Sequence, residues 1–526
     1  MPIDENGYVE LSRPLLRALE ALEAAGRPNK GKLLVSPAAL PMLDTAFAEG
    51  EAEIALPEKM QVEAERIRDA LAERHVAPER LKAVLRPYQE EGYQWLARLA
   101  ACGLGSCLAD DMGLGKTVQV IALLLARAAD GVSLVVAPTS VAGNWRGEIR
   151  RFAPTLNPIV AGEGSDEAWL KAGAYDVVIV SYGLLVSRSD KFLSREWNGV
   201  ALDEAQAVKN AETERAKTVK KLVAKFRVAA TGTPVENRLT DLWSVFDFLN
   251  PGLLGTEDDF AEKFTDEGRA TSALKNLVRP LILRRLKREV LDDLPEKTEI
   301  TLSVPLEGDE RAGYEACRVA ALETLEKGGK ENRISILAEL MRLRRYCCHP
   351  SLVLPEAASG AKLEALMELL RDLKGANHRA LVFSQFTDFL AIVEERIRQE
   401  GLTYQYLDGT TPPQERERRV AAFQRGEGDL FLMSLKAGGT GINLTAANYV
   451  VLLDPWWNPA VEDQAADRAH RIGQRNPVTV YRLIAADTVE ERVLELHHEK
   501  KVLARDVLDG TGSSALTPEA LIKLFS

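Results

Sequence analysis

The stretch LADDMGLGKTVQV, residues 108 to 120, decides how the rest of the chain is read. It passes through a glycine-rich turn, G-L-G-K-T, and opens VQVIALLLARAA, a good helical pattern. Such a turn presents backbone N–H groups and the positive end of the helix dipole to an anion. Lys116 can then reach outer phosphates, and the Thr117 hydroxyl can hold magnesium. The strict pattern G-x4-G-K-[ST] begins with glycine, whereas Asp110 stands in that position here. Taken alone, the stretch also reads as an incidental surface loop.

Its surroundings favour the phosphate reading. From about residue 85, short β-rich apolar runs alternate with helical patterns: SLVVAP (133 to 138), DVVIVSY (176 to 182), GVALDEA (199 to 205) and RVAATGT (227 to 233). The same texture returns at RALVFSQF (379 to 386), DLFLMSL (429 to 435), YVVLLDP (449 to 455) and VTVYRLI (478 to 484). Apolar runs separated by helices indicate parallel sheets covered on both faces, so two α/β domains are expected. Residues 240 to 375 read as helical and more charged, which predicts insertions rather than a third sheet.

The run GVAL ends at Asp203 and Glu204, placing two carboxylates at the C-terminal edge of a strand, where open α/β sheets bind ligands. Asp203 would hold magnesium, and Glu204 would orient a water and accept its proton. Further on, AATGTP offers Thr231 and Thr233 hydroxyls at a tight turn. Upstream, LRPYQ supplies Gln89, whose amide both donates and accepts, as an adenine edge requires.

Length and composition agree with a large soluble protein. The 526 residues exceed one ordinary core, and 46% hydrophobic with 28% charged residues describes a folded chain. Five cysteines form no C-x-x-C pair, so a disulfide framework is not expected, and Cys347, Cys348 and His349 lack zinc spacing. No secretory pattern opens the chain and no membrane-length apolar run occurs, so a cytoplasmic protein without membrane contact is expected. The net charge of −11 argues against indiscriminate polyanion binding but leaves room for a local basic groove.

In chain order, LRPYQEEGYQWL, DDMGLGKT, APTSVAGNW, VSYGLL, LDEAQAVKN and ATGTPVENRLTDLWSVFDFL resemble the first lobe of superfamily 2 helicase-like ATPases, specifically the SWI/SNF family of DNA translocases. LRRLKREVLDDLPEK, LRRYCCHP, VFSQF, YLDGTT, SLKAGGTGINLTAANYVVLLDPWWNPAVEDQAADRAHRIGQ and VTVYRLIAADTVEERV resemble the second half of that family. Asp commonly replaces the first glycine of the loop there, which removes the objection at Asp110. The second motif reads DEAQ, so Gln206 is the departure, and altered communication between lobes is expected of it. The DEAQ form resembles bacterial or archaeal members.

The resemblance implies two RecA-like parallel-sheet lobes flanking an ATP cleft, with helical protrusions inserted. The expected division is a helical N-terminal segment over 1–80, which also reads as the end of a larger domain; a first lobe over 81–240; a helical protrusion and basic linker over 241–299; a second lobe over 300–500 with a helical insertion at about 308–355; and a tail over 501–526. It implies ATP and Mg2+ as cofactors, and an ATP site formed by Arg86, Gln89, Asp110, Asp111, Met112, Gly113, Leu114, Gly115, Lys116, Thr117 and Gln464. Thr117 and Asp203 would hold the metal, Lys116, Glu204, Arg468 and Arg471 would act in hydrolysis, and Gln206, Thr231 and Thr233 would couple it to motion. Read as a helix, QAADRAHRIGQ (464 to 474) sets Gln464, Arg468 and Arg471 at i, i+4 and i+7 on one face. An arginine delivered to a γ-phosphate can be worth about 10^3 to 10^5 in rate.

Double-stranded DNA is the expected partner, a DNA-bound protein client a further one, and a monomer the expected state. Thr139, Ser181, Thr410, Ser434 and Thr440 lie in motifs that face the nucleic-acid backbone in related ATPases. The basic run KNLVRPLILRRLKRE, with Arg284 and Arg285, is expected to contact phosphates or dock the second lobe. A strand-separating helicase and a nucleotide-gated binding module without turnover are the competing readings.

Overall fold

The computed structural model of the protein describes residues 2–4, 7–8, 13–29, 32–40, 43, 47, 57–139, 141–162, 168–232, 239–264, 274–291, 294–328, 333–357, 359–438, 442–457, 459–495 and 522–525. It divides into two compact units whose main spans are Met1–Val290 and Leu291–Val502. The N-terminal stretch holds helices Arg13–Ala25 and Glu58–Ala72. It also holds two antiparallel pairs, β1 (Pro2–Asp4) with β2 (Gly7–Tyr8) and β3 (Gly26–Asn29) with β4 (Lys32–Val35), which the helical expectation missed. Strands of two to four residues carry no readable period.

In the first unit a seven-stranded sheet is built from β5 (Ser106–Leu108), β6 (Ser133–Ala137), β7 (Asn157–Val160), β8 (Asp176–Ser181), β9 (Glu196–Asp203), β10 (Val223–Ala230) and β11 (Ile282–Leu283). Their spatial order is β11-β5-β10-β9-β6-β8-β7, and every pairing is parallel. Successive side chains face opposite ways. Val135, Ile179 and Val228 therefore join one core with Leu96, Ile121 and Trp145 from the helices Pro87–Cys102, Lys116–Ala126 and Ala142–Phe152. Leu134, Val136, Val178 and Leu202 join a second core on the other face. Burial on both faces is why these strands read as continuous apolar runs.

The second unit repeats the plan with six parallel strands: β12 (Lys297–Val304), β13 (Ala380–Ser384), β14 (Tyr404–Leu407), β15 (Leu430–Ser434), β16 (Tyr449–Leu452) and β17 (Val478–Ala485), ordered β12-β17-β16-β13-β15-β14. Val382 and Leu432 face one core, Phe383 and Met433 the other. The expected α/β class with two parallel sheets is what the chain adopts. Helices Gly308–Gly328 and Arg333–Cys348 pack around Tyr314, Ile336, Leu340 and Tyr346. The interval 240–375 builds no third sheet among the described residues, but it supplies edge strands β11 and β12, which the sequence reading missed. β11 has two residues and β12 alternates apolar with polar side chains, so neither shows an apolar run.

All five cysteines are free and buried. Among the described residues no cluster of three or more His, Cys, Asp or Glu could hold a metal. Among them, too, no helix is long and apolar enough to cross a membrane.

Candidate nucleotide site

Parallel pairing in register sets Leu108, Ala230 and Asp203 level at the C-terminal ends of β5, β10 and β9. Three segments leave the sheet there side by side: the glycine loop, Thr231–Gly232 and Asp203–Glu204. A Cβ added at Gly232 would lie 3.0 Å from Met112 Cγ and 4.0 Å from Lys116 Nζ, so the glycine lets these segments meet.

The loop holds Gly113 at φ 85° and Gly115 at φ 80°, backbone states that side chains disfavour. Lys116 opens the following helix and folds back, its Nζ donating to the carbonyls of Asp110 (2.6 Å) and Asp111 (3.3 Å). Burial lowers the Lys116 pKa, while Glu204, Asp110 and Asp203 oppose that shift by stabilising the ammonium. A cation thus sits over a helix N-terminus, which suits a phosphate.

Asp203 accepts from the Trp145 indole (2.7 Å) and from the Glu204 N–H (3.0 Å). Burial, then the neighbouring Glu204 charge, push its pKa up to about 6; Trp145 and Lys116 work against them. Two adjacent carboxylates partly excluded from water form a place that a cation would neutralise. One carboxylate and the Thr117 hydroxyl would leave most positions around the ion to phosphate and water, which is how magnesium is usually held. The donor set therefore fits the expected metal.

Glu204 takes a left-handed backbone, φ 49° and ψ 55°. Its carboxylate accepts from Gln206 Nε2 at 2.8 Å, and Gln206 Oε1 accepts from the buried Thr231 hydroxyl at 2.9 Å. Glu204, Gln206 and Thr231 thus form a chain linking β9 to β10. Thr233 lies outside the described residues.

Several expected side chains are engaged differently. Gln89 receives the Arg86 N–H on Oε1 (3.0 Å) and donates Nε2 to the Leu114 carbonyl (3.0 Å), so it ties a helix cap to the loop. Both halves of its amide are thus engaged between the helix cap and the loop. For Arg285 the expected DNA contact is corrected. Its Nε and Nη2 grip the two oxygens of fully buried Asp110 at 2.9 and 2.6 Å, Nη2 also meets Gln119 Oε1 at 2.9 Å, and Nη1 donates to the Tyr88 carbonyl. A guanidinium so engaged inside the first unit does not face DNA, whereas Arg284 is exposed. Neighbours in extended backbone point to opposite faces, and that rule could have separated the two arginines. Of the remaining hydroxyls, Thr139 is exposed, and Ser181 caps a helix by accepting from the Leu184 N–H at 3.2 Å.

Sequence reasoning missed Tyr88, Gln119 and Trp145. Gln119 had a readable signal, because a lone polar residue in the apolar run VQVIALLL needs a buried partner.

In the second unit, the helix Pro459–Ala466 stops before either arginine of the QAADRAHRIGQ stretch. Only Gln464 is helical, so the one-face spacing of Gln464, Arg468 and Arg471 is corrected. Gln474 Nε2 donates to the carbonyls of Ala447 (2.8 Å), Ala469 (3.1 Å) and Thr445 (3.2 Å), holding the following turns in place of a further helical turn. Arg468 is 2% exposed, and Arg471 is half-buried with Nη1 3.5 Å from the Ile442 carbonyl. Thr410 is exposed and bonds Asp408 at 2.7 Å. Ser434 is buried, its hydroxyl accepting from the Ala437 N–H at 3.3 Å. Thr440 lies outside the described residues.

Comparison with known proteins matches these features to a family. The model described as SNF2-related domain matches residues 88–352, and that described as helicase conserved C-terminal domain matches residues 361–473. A putative ATP-dependent helicase/translocase YwqA of Bacillus subtilis is 40% identical over 483 residues, covering 87% of this chain and 52% of its own. The SWI/SNF-related matrix-associated actin-dependent regulator of chromatin subfamily A member 1 of Homo sapiens is 35% identical over 84% of this chain and 46% of its own. The chain thus spans about half the length of these curated relatives. A solved Sulfolobus solfataricus SWI2/SNF2 ATPase core in complex with dsDNA is 36% identical, covering 82% of this chain and 95% of its own, with a TM-score of 0.42. Because the SNF2-related model matches half of the chain, the chain belongs to the SNF2-related family.

Proposed function

We propose that the protein is a magnesium-dependent, DNA-stimulated ATPase that translocates along double-stranded DNA and displaces or remodels protein–DNA complexes. The observation that carries this reading is the meeting of Lys116 with Asp203 and Glu204 at the C-terminal ends of β5 and β9, the two strands that flank β10. Lys116 and the loop amides hold the β- and γ-phosphates. Thr117 and Asp203 would hold magnesium, which when bound would neutralise phosphate charge. Glu204, held by Gln206, orients the attacking water and takes its proton. Arg468 and Arg471 are the residues assigned to the positive charge that phosphoryl transfer requires. The name ATP-dependent helicase/translocase, carried by the Bacillus relative, supports the same activity.

The test measures ATP hydrolysis with no nucleic acid, single-stranded DNA, duplex DNA and RNA, alongside displacement of a third strand from a triplex. Duplex stimulation with triplex displacement and no unwinding of a fork is expected. Unwinding of the fork without triplex displacement would instead establish a strand-separating helicase. Binding of ATP and DNA with no hydrolysis would establish a gated binding module. Arg471→Ala is expected to lose turnover while retaining ATP binding, since Lys116 and the loop are untouched.

A further inference from the structure

We propose that Arg285 is a positioning residue for the nucleotide, and that the segment Ile282–Lys287 is a latch holding the phosphate loop in its binding shape. The inference rests on the reading of residues 109–117 as a nucleotide loop.

Pairing between β11 and β5 does not stop at the end of the sheet. Ile282 and Leu283 lie in register with Cys107 and Leu108. Beyond them Ala109 N–H donates to the Leu283 carbonyl at 2.7 Å, and Asp111 N–H to the Arg285 carbonyl at 3.0 Å. The Lys287 N–H then donates to Asp111 Oδ2 at 3.0 Å. The first half of the loop is thus held along its length by a segment far away in sequence.

Arg285 adds the side-chain grip. Asp110 is 0% exposed, and burying a carboxylate is costly unless a cation and hydrogen bonds compensate it. Both of its oxygens meet the Arg285 fork, a geometry that fixes direction as well as charge. Helix Pro87–Cys102 makes room with Gly92, where a Cβ would lie 2.7 Å from Arg285 Nη2 and 1.9 Å from Gln119 Oε1. The residue gripped by its side chain offers its carbonyl to Lys116 Nζ at 2.6 Å. Arg285, Asp110 and Lys116 therefore form one mechanical chain, and release of the first displaces the last. Asp110, where the strict loop pattern has glycine, is the handle that makes this possible. Val290, three residues beyond Lys287, ends the main span of the first unit, so the latch sits where the chain leaves it. Coupling of this kind is reciprocal: a nucleotide that requires the ordered loop also tightens the latch.

The experiment measures the Kd of a fluorescent ATP analogue, together with kcat and KM for ATP, in the full chain and in Arg285→Met, Arg285→Lys, Asp110→Asn and Arg285→Met/Asp110→Asn. Thermal melts without nucleotide establish folding. Arg285→Met is expected to weaken nucleotide binding at least tenfold, Arg285→Lys to recover part of the loss, and the double variant to bind no worse than Arg285→Met. In the unaltered chain, nucleotide is expected to slow amide exchange at Ala109 and Asp111. A Kd within twofold of the unaltered chain for Arg285→Met, or for Arg285→Lys where the methionine variant does not fold, overturns the proposal and leaves Arg285 a strut. If the unaltered chain binds nucleotide without turning it over, the ATPase reading fails while the Kd values still judge the latch. If it binds none, both fall.

Discussion

Trp145 donates its indole N–H to Asp203 Oδ2 across 2.7 Å, from a helix on one face of the sheet to the end of a strand within it. The bond favours the ionised carboxylate against burial and the Glu204 charge, which still hold its pKa up at about 6.

Removing that donor by Trp145→Phe should raise the Asp203 pKa further. Cation binding needs the carboxylate ionised, so the acidic limb of kcat/KM for ATP should move to higher pH by roughly 0.5 to 1 unit, the worth of one hydrogen bond. Profiles from pH 5 to 9 give the answer, and an unmoved limb would contradict the assigned role of Asp203.

Asp203→Asn should stop turnover yet stabilise the nucleotide-free protein at alkaline pH. The folded pKa lies above the ordinary value of 3.8, so the folded state binds the extra proton and the unaltered chain loses stability as pH rises through about 6. The gain from the amide should be roughly 1 to 3 kcal/mol at pH 8 and about half as large at pH 5, because the loss accumulates from the ordinary value of 3.8 upward. Urea melts at the two pH values measure it.

Gln206→Ala leaves both the Glu204 carboxylate and the Thr231 hydroxyl short of a partner. Turnover should fall by about ten- to a hundredfold, with the Kd for ATP within about twofold, because general-base positioning is lost while the phosphate loop is intact. Gln206→His keeps a hydrogen-bonding side chain and should change the degree of DNA stimulation. Unchanged DNA-stimulated kinetics in the histidine variant would remove Gln206 from the coupling path.

In the second unit, Lys362 and Glu490 form an ion pair with neither side chain exposed. Lys362 also donates to the Leu453 carbonyl at 3.0 Å, and Glu490 accepts from the Ala485 N–H at 2.9 Å. Lys362→Met should cost about 3 to 5 kcal/mol by stranding a buried carboxylate, and Lys362→Met/Glu490→Leu should recover much of it. Calorimetric melts of the two variants distinguish them, and equal losses would mean that packing, not charge, sets the cost.

The strands legible in the sequence were those buried on both faces, such as Ser133–Ala137 and Leu430–Ser434, because every residue there is apolar or small. β5 escaped notice although it carries the phosphate loop, since three residues make no pattern. The spacing of Lys116 and Thr117 behind the glycines, and the carboxylate pair at a strand end, could be read as a candidate site because those features are local. Arg285 was misread because its partner lies 175 residues away, and a basic run looks alike whether it faces solvent or a buried aspartate. The arginines of QAADRAHRIGQ were misplaced on a helix for a similar reason. The helix ends at Ala466, and beyond it Gln474 donates to the carbonyls of Thr445 and Ala447, a tertiary tie that no spacing records.

The position of β5 between β10 and β11 also orders events during synthesis. The phosphate loop leaves the ribosome early, but its last supporting strand follows 175 residues later, a delay of roughly 10 to 35 s at about 5 to 20 residues per second. Through that interval the nascent chain holds the glycines and Lys116 without the segment that shapes them. On the proposed latch, nucleotide meets a finished site only after β11 has closed the edge of the sheet.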